Sequence, residues 1–465
     1  MRVYALYIIV ALLSMYAYRD WFKSLCGLIL LMAVIEHPDM PKTILGIQGL
    51  NPWNVLLANV VLAWFLSRRR EGLTWDMPRY LNVMLMLYLL VMLVSTGRML
   101  CDRTNMDDYT FASLISENVV NTIKWLIPAL LIFDGCRTKK RLYWVVGATL
   151  AVYLLLALQV VRWVPPSSVV SGAELTARSR KIIMNEVGYH AVNMSMMLAG
   201  ASWAVLAASF LARKKKIKLL IIAAALVIAY GQALTAGRMG YVTWGMVGLI
   251  LCTMRWRKLL LLMPVFVVLV VVALPGVSER MVEGFGESTV GGGSTNDDYQ
   301  VTSGRTIAWP YVIDKIAEAP VFGYGKLAMK RTGISDHLFY ELGESFPHPH
   351  NAYLQWLLDN GLVGFLLVMP FFAVTAYQAG RLFLDKTHPA YVAVGGVALS
   401  LLLAQLIASL GSQTFYPREG AVGMWIAMAL VLRVVAWREQ SAPIRTLAPA
   451  RRLGAVPSLA HPSRA

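Results

Sequence analysis

Three residues stand where polar segments adjoin long apolar runs, and their side chains suit an anionic substrate. Arg238 lies in the turn Thr-Ala-Gly-Arg-Met-Gly, Arg305 follows Ser-Gly in a long polar segment, and His350 ends Pro-His-Pro-His before another apolar run. A guanidinium binds phosphate oxygens through two parallel hydrogen bonds and stays protonated, whereas an imidazole can accept a proton near neutral pH. Together the three residues predict a site that binds an anion and accepts a proton from a hydroxyl group.

Each of these residues also has a simpler interpretation. Arg238 could be an interfacial arginine whose head group extends to water, and Arg305 could be a solvated loop residue, although a helix that starts at Arg305 would add an anion-binding N-terminus. His348 and His350 could form a metal-binding pair or a structural cap. Because no third metal ligand lies close to them in the sequence, we expect no metal site.

Other charged residues could extend the site or change its chemistry. Arg180, in the basic segment Arg178-Ser-Arg180-Lys181, could widen an anion site or form only an exposed rim. Acidic loop residues would serve a metal-dependent mechanism, but none has a DxD spacing and all are also compatible with solvated loop charge. These acidic residues are Glu36, Asp39, Asp107, Asp108, Asp297 and Asp298.

Apolar segments dominate the chain that must position these residues. Of 465 residues, 57% are hydrophobic and only 15% are charged, with a mean hydropathy of +0.57. A soluble domain has about 25% charged residues, and a membrane-spanning helix uses about 20 apolar ones. The composition therefore excludes a water-soluble enzyme.

Long apolar runs predict an all-α polytopic membrane protein with 12 or 13 transmembrane helices, the first two runs being short. The predicted spans are 3–18, 22–35, 52–67, 80–97, 119–133, 142–164, 187–212, 219–236, 240–254, 259–275, 351–379, 390–411 and 420–437.

Basic residues occupy every second loop between these runs. Those loops carry 18 basic residues against four acidic ones, which assigns them to the cytoplasmic side. The long segment 276–350 then faces outward, and it is net acidic, with six basic and ten acidic residues. The net charge of +17 therefore reflects membrane topology, and we expect no nucleic-acid partner.

The pattern divides the chain into four parts. An N-terminal transmembrane bundle covers 1–275, the outward loop covers 276–350, C-terminal transmembrane helices cover 351–437, and a tail predicted to be disordered covers 438–465. Within the loop, Gly, Ser and Thr at 284–296 predict a flexible stretch. Residues 306–319 predict a short amphipathic helix that Pro320 ends. A loop of this length is longer than connection requires, which favours a functional role.

Two blocks of sequence together form a recognisable pattern. Residues 350–364, His-Asn-Ala-Tyr-Leu-Gln-Trp-Leu-Leu-Asp-Asn-Gly-Leu-Val-Gly, resemble the H-N-x-x-L-x-x-x-x-E-x-G-x-x-G signature of the bacterial O-antigen ligase and polymerase superfamily. Arg305 and Trp309, followed by Pro320-Val-Phe-Gly-Tyr-Gly, are similar to the R, W and P-x-x-G-x-G pattern of the family's outward loop. The turn around Arg238 resembles its arginine-bearing turn. Asp359 replaces the usual glutamate, and 185–189 depart from the Asn-Pro-Asn-like segment expected there.

The resemblance implies a GT-C-type membrane glycosyltransferase of the bacterial inner membrane. Such an enzyme moves a glycan from undecaprenyl diphosphate to an acceptor hydroxyl at the periplasmic face, with inversion and without a metal or cofactor. By the same resemblance, Arg238 and Arg305 would hold the donor diphosphate, and His350 would contact or deprotonate the acceptor hydroxyl. The residues expected to bind the substrates are Arg180, Trp309, Tyr324, His348 and Asn351.

Several alternatives remain open at this point. The acceptor is lipid A–core in a ligase of lipopolysaccharide biosynthesis and another lipid-linked glycan in a polymerase, and no residue distinguishes the two. A lipid-linked glycan flippase or polysaccharide exporter would also have a dozen spans, but it should show internal repeats. A metal-dependent GT-C enzyme would require Glu36 or Asp39 as a ligand or base.

Overall fold

The chain is helical almost throughout the residues that the computed structural model describes, which are 2–282, 305–343, 346–411 and 414–441. A two-stranded antiparallel hairpin, β1 (Thr43–Ile44) and β2 (Ile47–Gln48), pairs Thr43 with Gln48 and Ile44 with Ile47. The predicted flexible stretch 284–296 and nearly all of the predicted tail lie outside the described residues. The predicted all-α polytopic fold is confirmed.

The described residues form 21 α-helices, joined by short 3₁₀ and π turns. In chain order they are α1 (Arg2–Ala17), α2 (Trp21–Leu30), α3 (Pro52–Arg68), α4 (Arg79–Cys101), α5 (Phe111–Ile115), α6 (Asn121–Lys124), α7 (Ile127–Gly135), α8 (Lys139–Trp163), α9 (Gly172–Ile182), α10 (Ala191–Ala208), α11 (Lys215–Ala233), α12 (Arg238–Met254), α13 (Arg257–Leu260), α14 (Met263–Ala273), α15 (Pro275–Val282), α16 (Arg305–Glu318), α17 (Ala328–Arg331), α18 (Ile334–Leu342), α19 (Ala352–Phe383), α20 (Pro389–Ala408) and α21 (Val422–Ser441).

Seven of the described helical segments are long and apolar enough to cross a membrane, or eight if α14 and α15, bent by 108°, count as one span. They are Arg79–Cys101, Lys139–Trp163, Ala191–Leu211, Lys215–Ala233, Ala352–Phe383, Pro389–Ala408 and Glu419–Gln440.

This number is lower than the predicted 12 or 13 because several apolar runs fold as shorter or interrupted helices. The run 119–133 is divided among a π turn, the four-residue α6 and the nine-residue α7. The run 259–275 is divided among α13, α14 and the start of α15, and proline stands in the first turn of both α14 and α15. Proline is tolerated at a helix start and breaks a helix interior. Apolar composition alone therefore does not show whether an apolar run folds as one continuous helix.

Ion pairs gather the predicted cytoplasmic loops at one end of the bundle. The Asp76 carboxylate accepts hydrogen bonds from Arg137 at 2.6 Å and from Arg433 of α21 at 2.8 and 2.9 Å. The Asp134 carboxylate accepts one from Arg68 at 3.0 Å. Loops that are far apart in sequence thus meet at the same end, as their alternating charge predicts.

At the other end, the segment that follows α16 packs into a break in α19. Gly361 has φ 64° and ψ −171° inside this helix. The N–H groups of Leu362 and Val363 donate to the carbonyls of Pro320 and Val321 at 2.8 and 3.1 Å. A Cβ at Gly361 would lie 2.3 Å from the Val321 oxygen. Glycine is therefore required at this contact by both conformation and space.

Asp359 of α19 forms hydrogen bonds close to this break in the helix. Its carboxylate accepts hydrogen bonds from the Ala328 N–H at 3.1 Å and from the Tyr416 hydroxyl at 3.0 Å. Lys326 lies beside them, with Nζ 4.7 Å from the Tyr416 ring centroid, and donates to Thr122 at 3.1 Å. The aspartate that departs from the family signature thus links α19 to the start of α17 and to the loop that contains Tyr416.

Replacing Gly361 with alanine should destabilise the fold, because the new Cβ would meet the Val321 carbonyl in a left-handed conformation. We expect the free energy of unfolding to fall by about 1–3 kcal/mol, measured by thermal unfolding in lipid nanodiscs. Gly245→Ala is the matched control, since no heavy atom lies within 4 Å of a Cβ built there. Equal melting temperatures for Gly361→Ala and wild type would contradict this account of the break.

Candidate active site

Arg238 begins α12 at a turn that depends on glycine. After α11 ends, Ala236 has a left-handed φ of 57° and Gly237 caps α12. The turn approaches Ser195 of α10 so closely that a Cβ at Gly237 or Gly240 would lie 2.5 or 1.8 Å from the Ser195 Oγ. The two glycines therefore allow the backbone contact that places a half-buried Arg238 at this end of the bundle.

Arg305 is the first residue of α16, one position before the predicted start of this helix. Its Nη2 donates to the Gly411 carbonyl at 2.7 Å, whereas its Nε is buried without a hydrogen-bond partner among the described residues. Burial and the positive charge of Arg238 lower the pKa of Arg305, but a guanidinium stays protonated at neutral pH. A buried donor with no partner is unfavourable, so this group is poised to receive an acceptor.

His348 and His350 lie in the turn that leads into α19. Their ring centroids are 4.4 Å apart, and the His350 N–H donates to His348 Nδ1 at 3.3 Å. The turn is strained, since His350 has a φ of 51°. Trp309 of α16 holds it in place, because the indole N–H donates to the Pro349 carbonyl at 2.8 Å.

Both imidazoles are electrically neutral at pH 7. Burial, followed by the influence of His348, Arg305 and His190, lowers the pKa of His350 to about 3. Burial, followed by the charges of Arg418 and Arg305, lowers the pKa of His348 to about 4. These couplings place residues from four separate segments in one electrostatic environment.

His190 and Arg180 extend this cationic region. His190 precedes α10, after the π turn Ile183–Val187. Desolvation, followed by the charge of Arg180, lowers the pKa of His190, and Arg180 itself is exposed on α9. His190 was not predicted, although it shares one sequence signal with His350, namely a histidine directly before an apolar run.

Asn351 and Tyr324 have local partners. The Asn351 side chain caps α19 by accepting hydrogen bonds from the N–H groups of Tyr353 and Leu354 at 3.0 and 3.3 Å. The Tyr324 hydroxyl donates to the Glu318 carboxylate at 3.2 Å. Within the described ranges, no hydrogen bond or ring contact joins Tyr324 to the histidines or to the arginines around them.

The structure thus brings most of the predicted site residues into one region at one end of the bundle. We call this region the cationic site, and it consists of Arg180, His190, Arg238, Arg305, His348, His350 and Arg418. Arg418 was not predicted, because its place before the last span is also typical of an interfacial arginine.

The cationic site can bind an anion and offers uncharged imidazoles that could accept a proton. Three or more His, Cys, Asp or Glu side chains positioned for a metal ion are not found anywhere in the described ranges. The donors that converge are guanidinium groups, whose geometry matches phosphate oxygens.

Parts of this chain are similar to known proteins. Residues 191–369 match a family model described as O-antigen ligase, and the match includes Arg238, Arg305 and His350. A protein of Rickettsia conorii described as a candidate polysaccharide ligase is 36% identical over 70 residues, which cover 14% of this chain and 17% of that protein. The match therefore covers only about a sixth of the length of this relative.

The lowered histidine pKa values predict how stability depends on pH. Because the folded pKa values of about 3 and about 4 lie below the unfolded value near 6.5, the unfolded chain binds more protons in acid. We expect the melting temperature to fall as pH drops from about 6.5 towards 4. The double variant His348→Gln/His350→Gln should show a shallower fall than wild type. Parallel pH profiles for the two proteins would contradict the burial of neutral imidazoles.

Proposed function

We propose that this chain is an inverting membrane glycosyltransferase. The premise is that it belongs to the O-antigen ligase superfamily, whose family model matches residues 191–369. The proposed donor is a glycan on undecaprenyl diphosphate, and the proposed acceptor is a sugar hydroxyl of lipid A–core or of another lipid-linked glycan. The observation that carries this proposal is the buried Arg305 Nε, which has no partner among the described residues and lies beside Arg238 and His350.

The diphosphate would bind between Arg238 and Arg305. Each guanidinium can form two parallel hydrogen bonds with phosphate oxygens, and the diphosphate would relieve the repulsion between the two arginines. As the glycosidic bond breaks, negative charge develops on the leaving diphosphate. Fixed positive groups in a partly desolvated site stabilise that charge without reorganisation, which lowers the barrier.

His350 would accept the proton of the acceptor hydroxyl. The hydroxyl oxygen attacks the anomeric carbon from the face opposite the diphosphate, the carbon–oxygen bond to the diphosphate breaks, and the proton passes to the imidazole. An anion raises the pKa of a neighbouring imidazole because it stabilises the protonated form. A bound diphosphate would therefore raise the pKa of His350 from about 3 and make the imidazole a competent base only when the donor is present.

The lipid part of the donor would lie along α12. An apolar groove of about 280 Å³ is lined by Trp203, Ala225, Trp244, Phe266 and neighbouring side chains. Trp244 is six residues after Arg238, so the groove begins roughly 9 Å along the helix axis from the proposed diphosphate position. A prenyl chain attached to that diphosphate could enter the groove without leaving the apolar region.

The remaining predicted substrate-binding residues would lie further from the reacting atoms. Arg180 lies beside His190 and would contact the anionic or glycan part of the donor. Trp309 and Asn351 would act through the turn that carries His350, and Tyr324 remains a predicted glycan contact. We further propose that the site faces the periplasm from the bacterial inner membrane, since the predicted cytoplasmic loops meet at the opposite end of the bundle.

Loss of the arginines or of His350 should abolish transfer. We expect Arg238→Gln, Arg305→Gln and His350→Gln each to lower the rate by about 100-fold or more, measured as glycan transfer from undecaprenyl-diphosphate oligosaccharide by purified protein in nanodiscs. Both rough lipopolysaccharide and a lipid-linked repeat should be offered as acceptors.

Arg178→Gln is the matched control and should retain wild-type transfer. Arg178 is an exposed arginine on the same helix as Arg180, and it forms an ion pair with Glu174 at 2.6 Å. EDTA should leave the wild-type rate unchanged, whereas inactivation by EDTA would favour the metal-dependent alternative. Full activity in all three site variants would refute the proposed function.

A further inference from the structure

An apolar groove lies beside the first helix and takes no part in the mechanism above. It has a volume of about 620 Å³, and its walls come from α1, from α2 and the segment that follows it, and from Leu155 of α8. We call it the α1 groove. Leu6, Ile9 and Leu13 line one wall at intervals of three and four residues, so they share one face of α1. The volume lies within the range of about 300–1,000 Å³ that is typical of ligand sites.

The α1 groove lies in the half of the bundle that is nearer the cationic site. Trp21, at the start of α2, donates to the Glu71 carboxylate of a predicted cytoplasmic loop at 2.7 Å. The end of α1 that precedes Trp21 is therefore at the cytoplasmic end, and Val3 is at the opposite one. Between Val3 and Leu13 the groove extends about 15 Å along the helix axis. This length equals half of a hydrocarbon core of about 30 Å, so the groove spans the outer leaflet.

The groove is closed at its inner end and open at its side. A Cβ built at Gly27 of α2 would lie 2.9 Å from Leu13 Cδ1, so α1 and α2 touch at this level. Higher in the groove, Ile9 and Leu155 are 48% and 43% exposed. Both side chains lie on helices at bilayer depth, where the surrounding solvent is lipid. A hydrocarbon chain can therefore enter the groove laterally and end against the contact at Gly27.

The outer end of the α1 groove is polar and adjoins the cationic site. His37 and Asp39 line this end, and the Asp39 N–H donates to His37 Nδ1 at 3.1 Å. One residue before His37, the Glu36 carbonyl oxygen packs so closely against Gly188 that a Cβ built there would lie 1.6 Å from it. Gly188 is two residues before His190 of the cationic site. The mouth of the groove is thus in backbone contact with the turn that carries His190.

An apolar groove with a polar mouth suits a lipid whose head group lies at the cationic site. The reaction proposed above joins two lipid-anchored molecules, so two hydrocarbon chains must be held while their head groups meet. The groove along α12 was assigned to the prenyl chain of the donor. No residue that lines that groove also lines the α1 groove. The fold therefore offers a second, separate place for the second chain.

We propose that the α1 groove binds a hydrocarbon chain of the lipid-anchored acceptor, whose head group then extends past His37 to the cationic site. This inference rests on the proposed function, which supplies a lipid-anchored acceptor. The chain is an acyl chain if the acceptor is lipid A–core and a prenyl chain if it is a lipid-linked glycan. Both are long, apolar and anchored in the outer leaflet, which is the chemistry that the groove recognises.

The test fills the groove and measures the KM for donor and acceptor separately, with purified full-length protein in nanodiscs. The donor is undecaprenyl-diphosphate oligosaccharide. The acceptor is rough lipopolysaccharide in one arm and a lipid-linked repeat in the other, and each is compared with the same glycan freed of its lipid. Ile9→Trp and Leu155→Trp, which fill the groove from two different walls, should each raise the KM for the lipid-anchored acceptor about tenfold. The donor KM should change less than twofold.

The lipid-free glycan tests whether the effect acts through the chain. The wild-type KM for this glycan should be at least about tenfold above that for the lipid-anchored acceptor, and the two variants should not raise it further. Leu62→Trp is the matched control and should leave every KM unchanged. Leu62 is a 48% exposed leucine of α3 that does not line the groove.

Several results would overturn the proposal while leaving the proposed function intact. A wild-type KM for the lipid-anchored acceptor in both variants would mean that the groove holds only bulk phospholipid. A rise in the donor KM as large as the rise in the acceptor KM would assign the groove to the donor or to general damage. An equal rise for the lipid-free glycan would show that the chain is not involved. If the wild type transfers glycan to neither acceptor, the proposed function fails, and this inference fails with it.

Discussion

Repulsion among partly buried cationic side chains is the constraint on which this end of the molecule depends. Arg305 and Arg238 are electrostatic neighbours, and desolvation, together with the charge of Arg305, lowers the pKa of both His348 and His350. Bringing like charges together is unfavourable unless an anion joins them or a rigid scaffold holds them. An anion that bound between them would relieve this repulsion, which is the physical basis of the proposed diphosphate site.

The scaffold that holds these charges consists of contacts between segments that are distant in sequence. Trp309 ties α16 to the histidine turn, and Arg305 reaches the end of α20 through the Gly411 carbonyl. Asp359 joins the loop after α16 to Tyr416, in the same loop as Arg418. The break at Gly361 receives the segment after α16. Each contact limits how far the charged groups can move apart.

Sequence reasoning predicted those elements and candidate residues of this region that carry local signals. The helix predicted at 306–319 is observed as Arg305–Glu318, because proline and glycine mark its end. Arg238, Arg305, His348 and His350 stand at boundaries between polar and apolar segments, and the structure brings them together. Fewer helices than the predicted spans are long and apolar enough to cross a membrane, since hydrophobicity does not reveal where proline or a π turn interrupts a helix.

Other residues could not be predicted because their roles arise from tertiary contacts. His190 and Arg418 are more than 200 residues apart, and nothing local to either residue indicates the histidine turn that both influence. Glu36 was considered as a metal ligand, as a base or as solvated loop charge, and the structure leaves it exposed, with its backbone packed against Gly188. Tyr324 follows the family pattern in sequence, but its hydroxyl hydrogen-bonds to Glu318.

The most direct test of the central claim is the affinity of the purified protein for undecaprenyl diphosphate compared with undecaprenyl monophosphate. Binding in nanodiscs can be followed by native mass spectrometry, with wild type and Arg305→Gln side by side. The cationic site predicts that the wild type binds the diphosphate about tenfold more tightly or better, and that Arg305→Gln largely removes this preference. Equal affinity of the wild type for the two lipids would contradict the account.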